Sequence, residues 1–232
     1  MRREVFRSLK VKVGLAIIAF SVLLAVFGEP IASAAGLSPF RIHYDAIGAA
    51  PSADHWLGTT FSGRDVFTQV IVGARGSVFV GLLAGGIGVV IAVLVGTWSG
   101  YVGGAIDRSM MAVINVLMTL PSLAMMFIIA GYIRDTGMIL IAVVIGLLSW
   151  PGGARVIRSQ TLSLRNRDFT SSLRAVGERT WRIVVVEIMP HLSGVISAMF
   201  LGALIAGIFA EAALAFLGIG DTSGISWGMM IS

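Results

Sequence analysis

Ser226 lies in a spacing that fits a hydrolytic nucleophile. The segment Gly224-Ile225-Ser226-Trp227-Gly228 has the pattern Gly-x-Ser-x-Gly, in which a serine on a sharp turn attacks a carbonyl carbon. That chemistry needs a strand before the serine, a helix after it, and an acid and a histidine to activate it. The sequence around Ser226 supplies none of this context, so we do not expect a serine nucleophile.

Metal and nucleotide chemistry are not indicated either. The three histidines, His43, His55 and His191, lie in no metal-ligand spacing, and the chain has no cysteine. It also lacks a phosphate-binding Gly-x-x-x-x-Gly-Lys-Ser/Thr loop, its two lysines being Lys10 and Lys12. We therefore predict no catalytic, cofactor-binding or metal site, and any ATP that drives this protein must be bound by another polypeptide.

The remaining candidate is a basic segment, 151–190, that contains seven arginines. Its apolar residues Phe169, Leu173 and Val176 recur at helical spacing, and Gly177 is expected to end that helix. A short amphipathic helix at a membrane surface can transmit force from a soluble partner. The alternative is an interfacial helix whose arginines bind anionic lipid headgroups, so membrane lipid is a second expected partner.

The elements that hold this segment are predicted to be membrane helices. A content of 56% hydrophobic and 12% charged residues, with a mean hydropathy of +0.92, lies outside the range of soluble domains. A helix needs about 20 residues to cross about 30 Å of hydrocarbon. The chain has uncharged runs at 13–28, 76–106, 109–133, 136–154 and 188–210. We predict an all-α, polytopic transmembrane helix bundle of about five spans.

The distribution of lysine and arginine sets the orientation of these spans, because positively charged loops resist translocation. An inside N-terminus places its five basic residues, Arg108 and the seven arginines of the basic segment in the cytoplasm, against four arginines outside. The net charge of +5 then reflects topology and not nucleic acid binding. The predicted segments are a cytoplasmic N-terminus (1–12), a first span (13–35), an extracytoplasmic loop (36–76), spans two to four (77–154), a cytoplasmic loop (155–190), a fifth span (191–210) and an outer re-entrant or surface segment (211–232).

The first span is open to a second interpretation. A basic N-terminus, a short apolar stretch and Ala32-Ser33-Ala34 also fit a cleavable secretory signal. Residues 36–75 lie outside in either case, so the rest of the topology does not depend on the answer.

Two features within the spans predict packing or function. The pairs Gly81-x-x-x-Gly85 and Gly96-x-x-x-Gly100 allow helix backbones to approach closely. Glu211 is the one acid in the apolar stretch 188–220, and it is predicted just after the fifth span. Ligand contact and interfacial anchoring are equally compatible with that position.

The order of short motifs along the chain resembles binding-protein-dependent ABC importer permeases for dipeptides, oligopeptides and nickel, of the second-permease type. The resemblance runs from about residue 5 to the end of the sequence. The motifs that carry it are His55-Trp56-Leu57-Gly58-Thr59, Gly63-Arg64-Asp65, Gly73-Ala74-Arg75-Gly76-Ser77, Asp107, Leu120-Pro121-Ser122, Trp150-Pro151-Gly152, the run 211–220 and Ser226-Trp227-Gly228, together with Ala175, Gly177 and Pro190 in the basic segment.

This resemblance implies an ATP-driven importer of peptides or similar small solutes in the cell inner membrane. It implies a paralogous permease subunit, two cytoplasmic ATPase subunits that bind ATP, and an extracytoplasmic solute-binding protein as partners. Coupling to the ATPase falls on Asp168, Phe169, Ser171, Leu173, Arg174, Ala175, Gly177 and Glu178. The translocation path is assigned to Pro121 and Glu211.

Two departures from the family pattern leave alternatives open. Many relatives begin the coupling motif with Glu-Ala-Ala, where this chain has Ser171-Ser172-Leu173, and relatives continue into a sixth span beyond the position of Ser232. A stand-alone secondary carrier, a membrane scaffold and an inactive truncated permease are therefore retained as alternatives. A carrier should show buried ionisable residues, and spans two to four have none between their ends.

Overall fold

The computed structural model describes residues 9–132, 137–220 and 224–230. Most of the predicted cytoplasmic N-terminus, Arg134 and Ser232 lie outside these residues. Within them the regular structure is helical, apart from isolated bridges in the loop after the first helix, so the all-α prediction is confirmed. The helices are α1 (Leu9–Ala34), α2 (Val66–Val102), α3 (Gly104–Thr119), α4 (Ser122–Tyr132), α5 (Met138–Arg165), α6 (Asp168–Ala175), α7 (Thr180–Arg182), α8 (Met189–His191) and α9 (Ser193–Phe216), with a 3-10 turn at Tyr44–Ala46 and a π-helical turn at Ile183–Ile188.

Four of the described helices are long and apolar enough to cross a membrane: α1, α2, α5 and α9. The pair α3 and α4 forms a fifth span if it is counted as one, and it is bent by 83°. Pro121 lies at the bend, where its ring and its missing N–H prevent the helix from continuing. The result agrees with the prediction of about five spans.

Helix α2 begins well before residue 77, where the second span was predicted to start. It begins at Val66 and runs to Val102, and at about 1.5 Å per residue its 37 residues extend about 55 Å. Gly103, which has a φ of 72°, separates α2 from α3. An uncharged run marks the part of a helix that can lie in hydrocarbon, and a helix does not stop where it leaves the lipid.

Two further helices extend beyond their predicted boundaries for the same reason. Helix α5 continues through Arg155 and Arg158 to Arg165, so the first part of the predicted cytoplasmic loop is helical. Helix α9 continues past Ala210 to Phe216 and contains Glu211. Glu211 therefore lies within a helix and its side chain is buried, and its place just after the membrane-spanning part of that helix stays a prediction.

The chain forms two compact units, one of residues up to Phe79 together with those from Ala215 onward, and one of residues 80–214. The second unit contains the apolar core, in which Val80 and Ala84 of α2 cluster with Ile141 and Ile145 of α5. Some of its helices approach each other closely at glycines.

The two glycine pairs of α2 pack on different neighbours inside the second unit. A Cβ added to Gly85 would lie 2.9 Å from the backbone nitrogen of Leu204 in α9, and one added to Gly96 would lie 2.6 Å from the carbonyl oxygen of Ala154 in α5. Any larger residue would force these backbones apart. The pairs thus join α2 to α9 and to α5 within this chain.

Candidate functional site

Helix α6 is a separate short helix whose ends are fixed by local hydrogen bonds. The buried hydroxyl of Thr170 donates to the carbonyl oxygen of Leu164 at 2.9 Å, which holds the start of α6 against the end of α5. At the other end Gly177 has a φ of 77°. The N–H of Gly177 donates to the carbonyl of Arg174, and the N–H of Glu178 donates to that of Leu173, both at 3.0 Å. This is a Schellman ending, so Gly177 closes the helix as predicted.

One face of α6 packs on neighbouring elements of the second unit, to which α6 itself belongs. The ring of Phe169 stacks on His191 of α8 with ring centroids 5.2 Å apart, and Leu173 packs against a buried cluster that includes Tyr101 and Ile188. Val176, predicted on the same apolar face, is 81% exposed because it follows the last helical residue. The packed face therefore consists of the buried Thr170 and the partly buried Phe169 and Leu173, without Val176.

Arg174 connects α6 to the end of α2. Its Nε donates to the hydroxyl of Tyr101 at 3.0 Å, and its guanidinium lies over the Tyr101 ring, 4.6 Å from the centroid. Tyr101 is buried, so its ring and hydroxyl have fixed positions. The two residues are 73 positions apart in the sequence. No sequence periodicity relates residues so far apart, and the pairing was not predicted.

The opposite face of α6 and the turn after it are open. Five residues on this side are exposed: Asp168, Ser171, Ala175, Val176 and Gly177. The side chain of Glu178 then accepts a hydrogen bond from Arg182 at 3.0 Å, which ties the turn to α7. The predicted coupling residues thus lie in α6 and the turn after it. One side of this element packs on neighbouring helices, and the other side is exposed.

An ion pair joins the first turn of α3 to the C-terminal half of α5. Arg158 of α5 donates to both carboxylate oxygens of Asp107 in α3, with Nη2 at 2.6 Å from Oδ2. Further along α3, Asn115 accepts a hydrogen bond from Arg155 at 2.7 Å. Two-point contacts of this kind fix the orientation of a guanidinium as well as its distance. They hold α3 and α5 together where the basic segment begins.

A cavity of about 540 Å³ lies in the second unit beside the bend between α3 and α4. It is lined mainly by apolar and small residues of α3, α4, α5 and α9, among them Leu120, Ser149, Gly152 and Gly207. Neither Pro121 nor Glu211 is among the lining residues, and their assignment to a translocation path stays a prediction. The small residues on facing helices were the signal that could have indicated this cavity.

The loop before α2 belongs to the first unit and is organised by Asp65. The Oδ1 atom of Asp65 accepts hydrogen bonds from the N–H and the hydroxyl of Thr68, both at 2.8 Å, which caps the start of α2. Its Oδ2 atom lies 2.8 Å from Nδ1 of His55, and the His55 ring contacts the edge of His43 with centroids 4.7 Å apart. No three residues of metal-ligating type come together within the described part of the chain.

The cap also shifts the acidity of Asp65. Burial acts to raise the pKa of Asp65, but the hydrogen bonds from Thr68 and His55 outweigh it and lower the pKa below its ordinary value of 3.8. Because folding lowers the pKa of Asp65, the ionised carboxylate stabilises the folded state at pH values above the ordinary pKa. This contribution is lost as the pH falls through the pKa of Asp65 in the folded state.

Replacing Asp65 by asparagine should therefore remove the acid sensitivity of this loop while keeping its cap. We expect hydrogen exchange at the first turn of α2, corrected for its intrinsic pH dependence, to accelerate below about pH 4 in the natural chain and to stay level in Asp65→Asn. Asp65→Ala should lose about 1 kcal/mol of local stability at every pH, because it has no cap. Equal acid sensitivity in the natural chain and in Asp65→Asn would contradict this account.

Comparison with known proteins decides the family. Residues 88–232 match the family described as binding-protein-dependent transport system inner membrane component. The chain belongs to this family. The matched region covers α3 to α9, so the permease family assignment includes α6, the ion pair of Asp107 and Arg158, and the cavity beside the bend.

Several relatives match the permease over most of its length. It is 38% identical to the dipeptide transport system permease protein DppC of Bacillus subtilis over 221 residues, covering 94% of this chain and 67% of that protein. It is 34% identical to the oligopeptide transport system permease protein OppC of the same organism, covering 98% and 74%. It is 31% identical to the glutathione transport system permease protein GsiD of Pectobacterium atrosepticum, covering 82% and 63%. The protein is thus a multi-pass membrane permease subunit of the ABC importer class.

Proposed function

We propose that this permease carries peptides or similar small solutes inward across the cell inner membrane, driven by ATP that separate cytoplasmic subunits bind and hydrolyse. The observation that carries the proposal is the two-sided construction of α6. One side contacts neighbouring elements of the second unit through Phe169, Leu173 and Arg174, and the other side is exposed. The names of the relatives support a peptide-like cargo.

The attached side gives a route for movement. A push on α6 reaches the end of α2 through Arg174 and Tyr101, and it reaches α8 and the start of α9 through Phe169 and His191. Helix α2 in turn packs on α5 and α9 at its glycines without intervening side chains. Close-packed helices move as rigid bodies and do not deform continuously. The cavity beside the bend lies among α3, α4, α5 and α9, so shifts of these helices would change access to it.

The partners follow from surfaces that this subunit leaves open. On α2 and α9, large apolar side chains such as Val90, Leu94, Ile205 and Phe209 are exposed. In a membrane such faces suit lipid or another helix, and a paralogous permease subunit would cover part of them. The exposed side of α6 suits a cytoplasmic ATPase subunit, two of which would serve a pair of permeases. An extracytoplasmic solute-binding protein would deliver cargo on the opposite side.

Reconstitution tests the proposed function. The permease would be purified together with the subunits that associate with it and placed in proteoliposomes with the binding protein. We expect uptake of a radiolabelled dipeptide mixture that requires ATP on the cytoplasmic side and the receptor on the other. Uptake driven by an ion gradient without ATP would instead support a secondary carrier. The absence of both uptake and an associated ATPase would support a scaffold.

A further inference from the structure

A second cavity, of about 210 Å³, lies in the first unit next to the start of α2. Its lining includes the polar residues Arg64 and Gln69 and the apolar residues Phe40, Ile225 and Met230. At about 30 Å³ per water molecule, it has room for about seven waters or for a group the size of one amino acid. Nothing in the coupling mechanism uses this cavity.

Two of the residues that line this cavity each have a buried polar atom with no hydrogen-bond partner among the described residues: Nε of Arg64 and Oε1 of Gln69. Gln69 as a whole is 4% exposed. A buried donor or acceptor that stays unpaired is costly, and buried guanidinium groups are rarely left without an anion. One unpaired donor and one unpaired acceptor beside the same cavity indicate a ligand that offers both partners.

Both side chains are held by a fixed backbone. The N–H of Arg64 donates to the hydroxyl of Thr60 at 3.1 Å, and its carbonyl accepts from the N–H of Thr60 at 2.8 Å. The N–H of Gln69 donates to the carbonyl of Asp65 at 3.1 Å in the first turn of α2. In the motif Gly63-Arg64-Asp65, Gly63 supplies a φ of 72° and Asp65 caps the helix. The hydrogen bonds of Arg64 within the described residues are made by its backbone, so its side chain is not needed to hold the loop.

We propose that this cavity binds the carboxylate end of a peptide. The Arg64 guanidinium donates to the carboxylate, and the Gln69 amide oxygen accepts from the adjacent peptide N–H. The apolar residues Phe40, Ile225 and Met230 contact the terminal side chain. Guanidinium and carboxylate match in charge and in planar geometry. Inorganic phosphate has the charge but lacks the apolar part. The choice of a peptide rests on the proposed function, whereas the carboxylate and amide chemistry rests on the cavity.

The test uses N-acetylalanine as the probe, because it has one carboxylate and one adjacent amide N–H. Binding to the full chain, with its copurifying subunits in phosphatidylcholine nanodiscs and without ATP, is measured by saturation-transfer NMR. We expect N-acetylalanine to bind and N-acetylalanine amide to bind at least tenfold more weakly. Arg64→Gln and Gln69→Leu should each weaken N-acetylalanine binding at least tenfold, and Arg64→Lys should retain part of it. Arg41→Gln, at an exposed arginine of the same loop, is the matched control and should bind as the natural chain does.

Three results would overturn the assignment: equal binding of the acid and the amide, natural binding in both Arg64→Gln and Gln69→Leu, or displacement of N-acetylalanine by equimolar inorganic phosphate. If Arg64→Gln does not fold, Arg64→Lys and Gln69→Leu still decide the question. Because the measurement needs no ATP, binding that persists while ATP-driven uptake fails counts against the proposed function and not against the cavity. Uptake that persists without binding counts against the cavity alone.

Discussion

Replacing Ala175 by arginine is expected to release the ATPase subunits from the permease. Ala175 lies on the exposed side of α6, so the new side chain meets no neighbour within this chain. Arginine is a good helix former and is favoured near a helix C-terminus, so α6 should stay folded. At the centre of an interface, a misplaced large charge costs about 2 kcal/mol or more, or about 30-fold in affinity. Copurification of the ATPase after mild detergent extraction measures the loss, and ATP-driven uptake should fall to background.

Ala105→Arg is the matched control for this experiment. Ala105 is also an exposed alanine, in the first turn of α3, and the same change there adds the same charge and volume outside α6. We expect it to retain the ATPase. If both variants lose the ATPase equally, charge alone is responsible, and α6 has no special role as a docking element.

Breaking the contact between Arg174 and Tyr101 is expected to uncouple ATP hydrolysis from transport while the ATPase stays bound. Arg174→Gln removes the charge over the ring and the Nε donor, whereas Tyr101→Phe removes the hydroxyl and keeps the ring. Hydrogen bonds to charged groups contribute about 1.5 kcal/mol or more and a cation over an aromatic ring about 0.5–1 kcal/mol. We therefore expect solute imported per ATP hydrolysed to fall about tenfold in Arg174→Gln and less in Tyr101→Phe.

The comparison variant is Arg179→Gln, which removes an exposed arginine from the same basic segment. It should lower neither ATPase binding nor the ratio of uptake to hydrolysis. A general effect of positive charge on this loop, through lipid headgroups, would instead reduce activity alike in Arg179→Gln and Arg174→Gln. That outcome would contradict a specific path through Tyr101.

The sequence predicted the helices because lipid imposes a simple rule on composition. Uncharged runs of span length can only be helices in a bilayer, and Gly177 has one common role after a short amphipathic helix. The ends of α2 and α9 were less predictable. Hydrogen bonds that cap a helix, such as those from Thr68 to Asp65, lie outside the hydrocarbon, and hydropathy carries no information about them.

The contacts that hold α6 against its neighbours could not be predicted from the sequence, for a different reason. Periodicity placed Val176 on the apolar face, but the helix ends at Ala175, and Val176 lies in the turn that follows and is exposed. The pairing of Arg174 with Tyr101 depends on how α2 and α6 pack, which no local pattern encodes. The cavity next to Arg64 likewise joins the loop before α2 to residues after α9, and the motifs alone gave no sign that they meet.

Labelling at Val176 tests most directly whether α6 faces the cytoplasm and meets an ATPase there. The chain contains no cysteine, and Val176 is 81% exposed, so Val176→Cys provides a single accessible thiol. We expect a membrane-impermeant maleimide to label it in inside-out vesicles stripped of the ATPase, to label it at least tenfold less after the ATPase is added back, and not to label it in intact cells. Labelling from the outside of intact cells, or labelling that the ATPase does not reduce, would contradict the account.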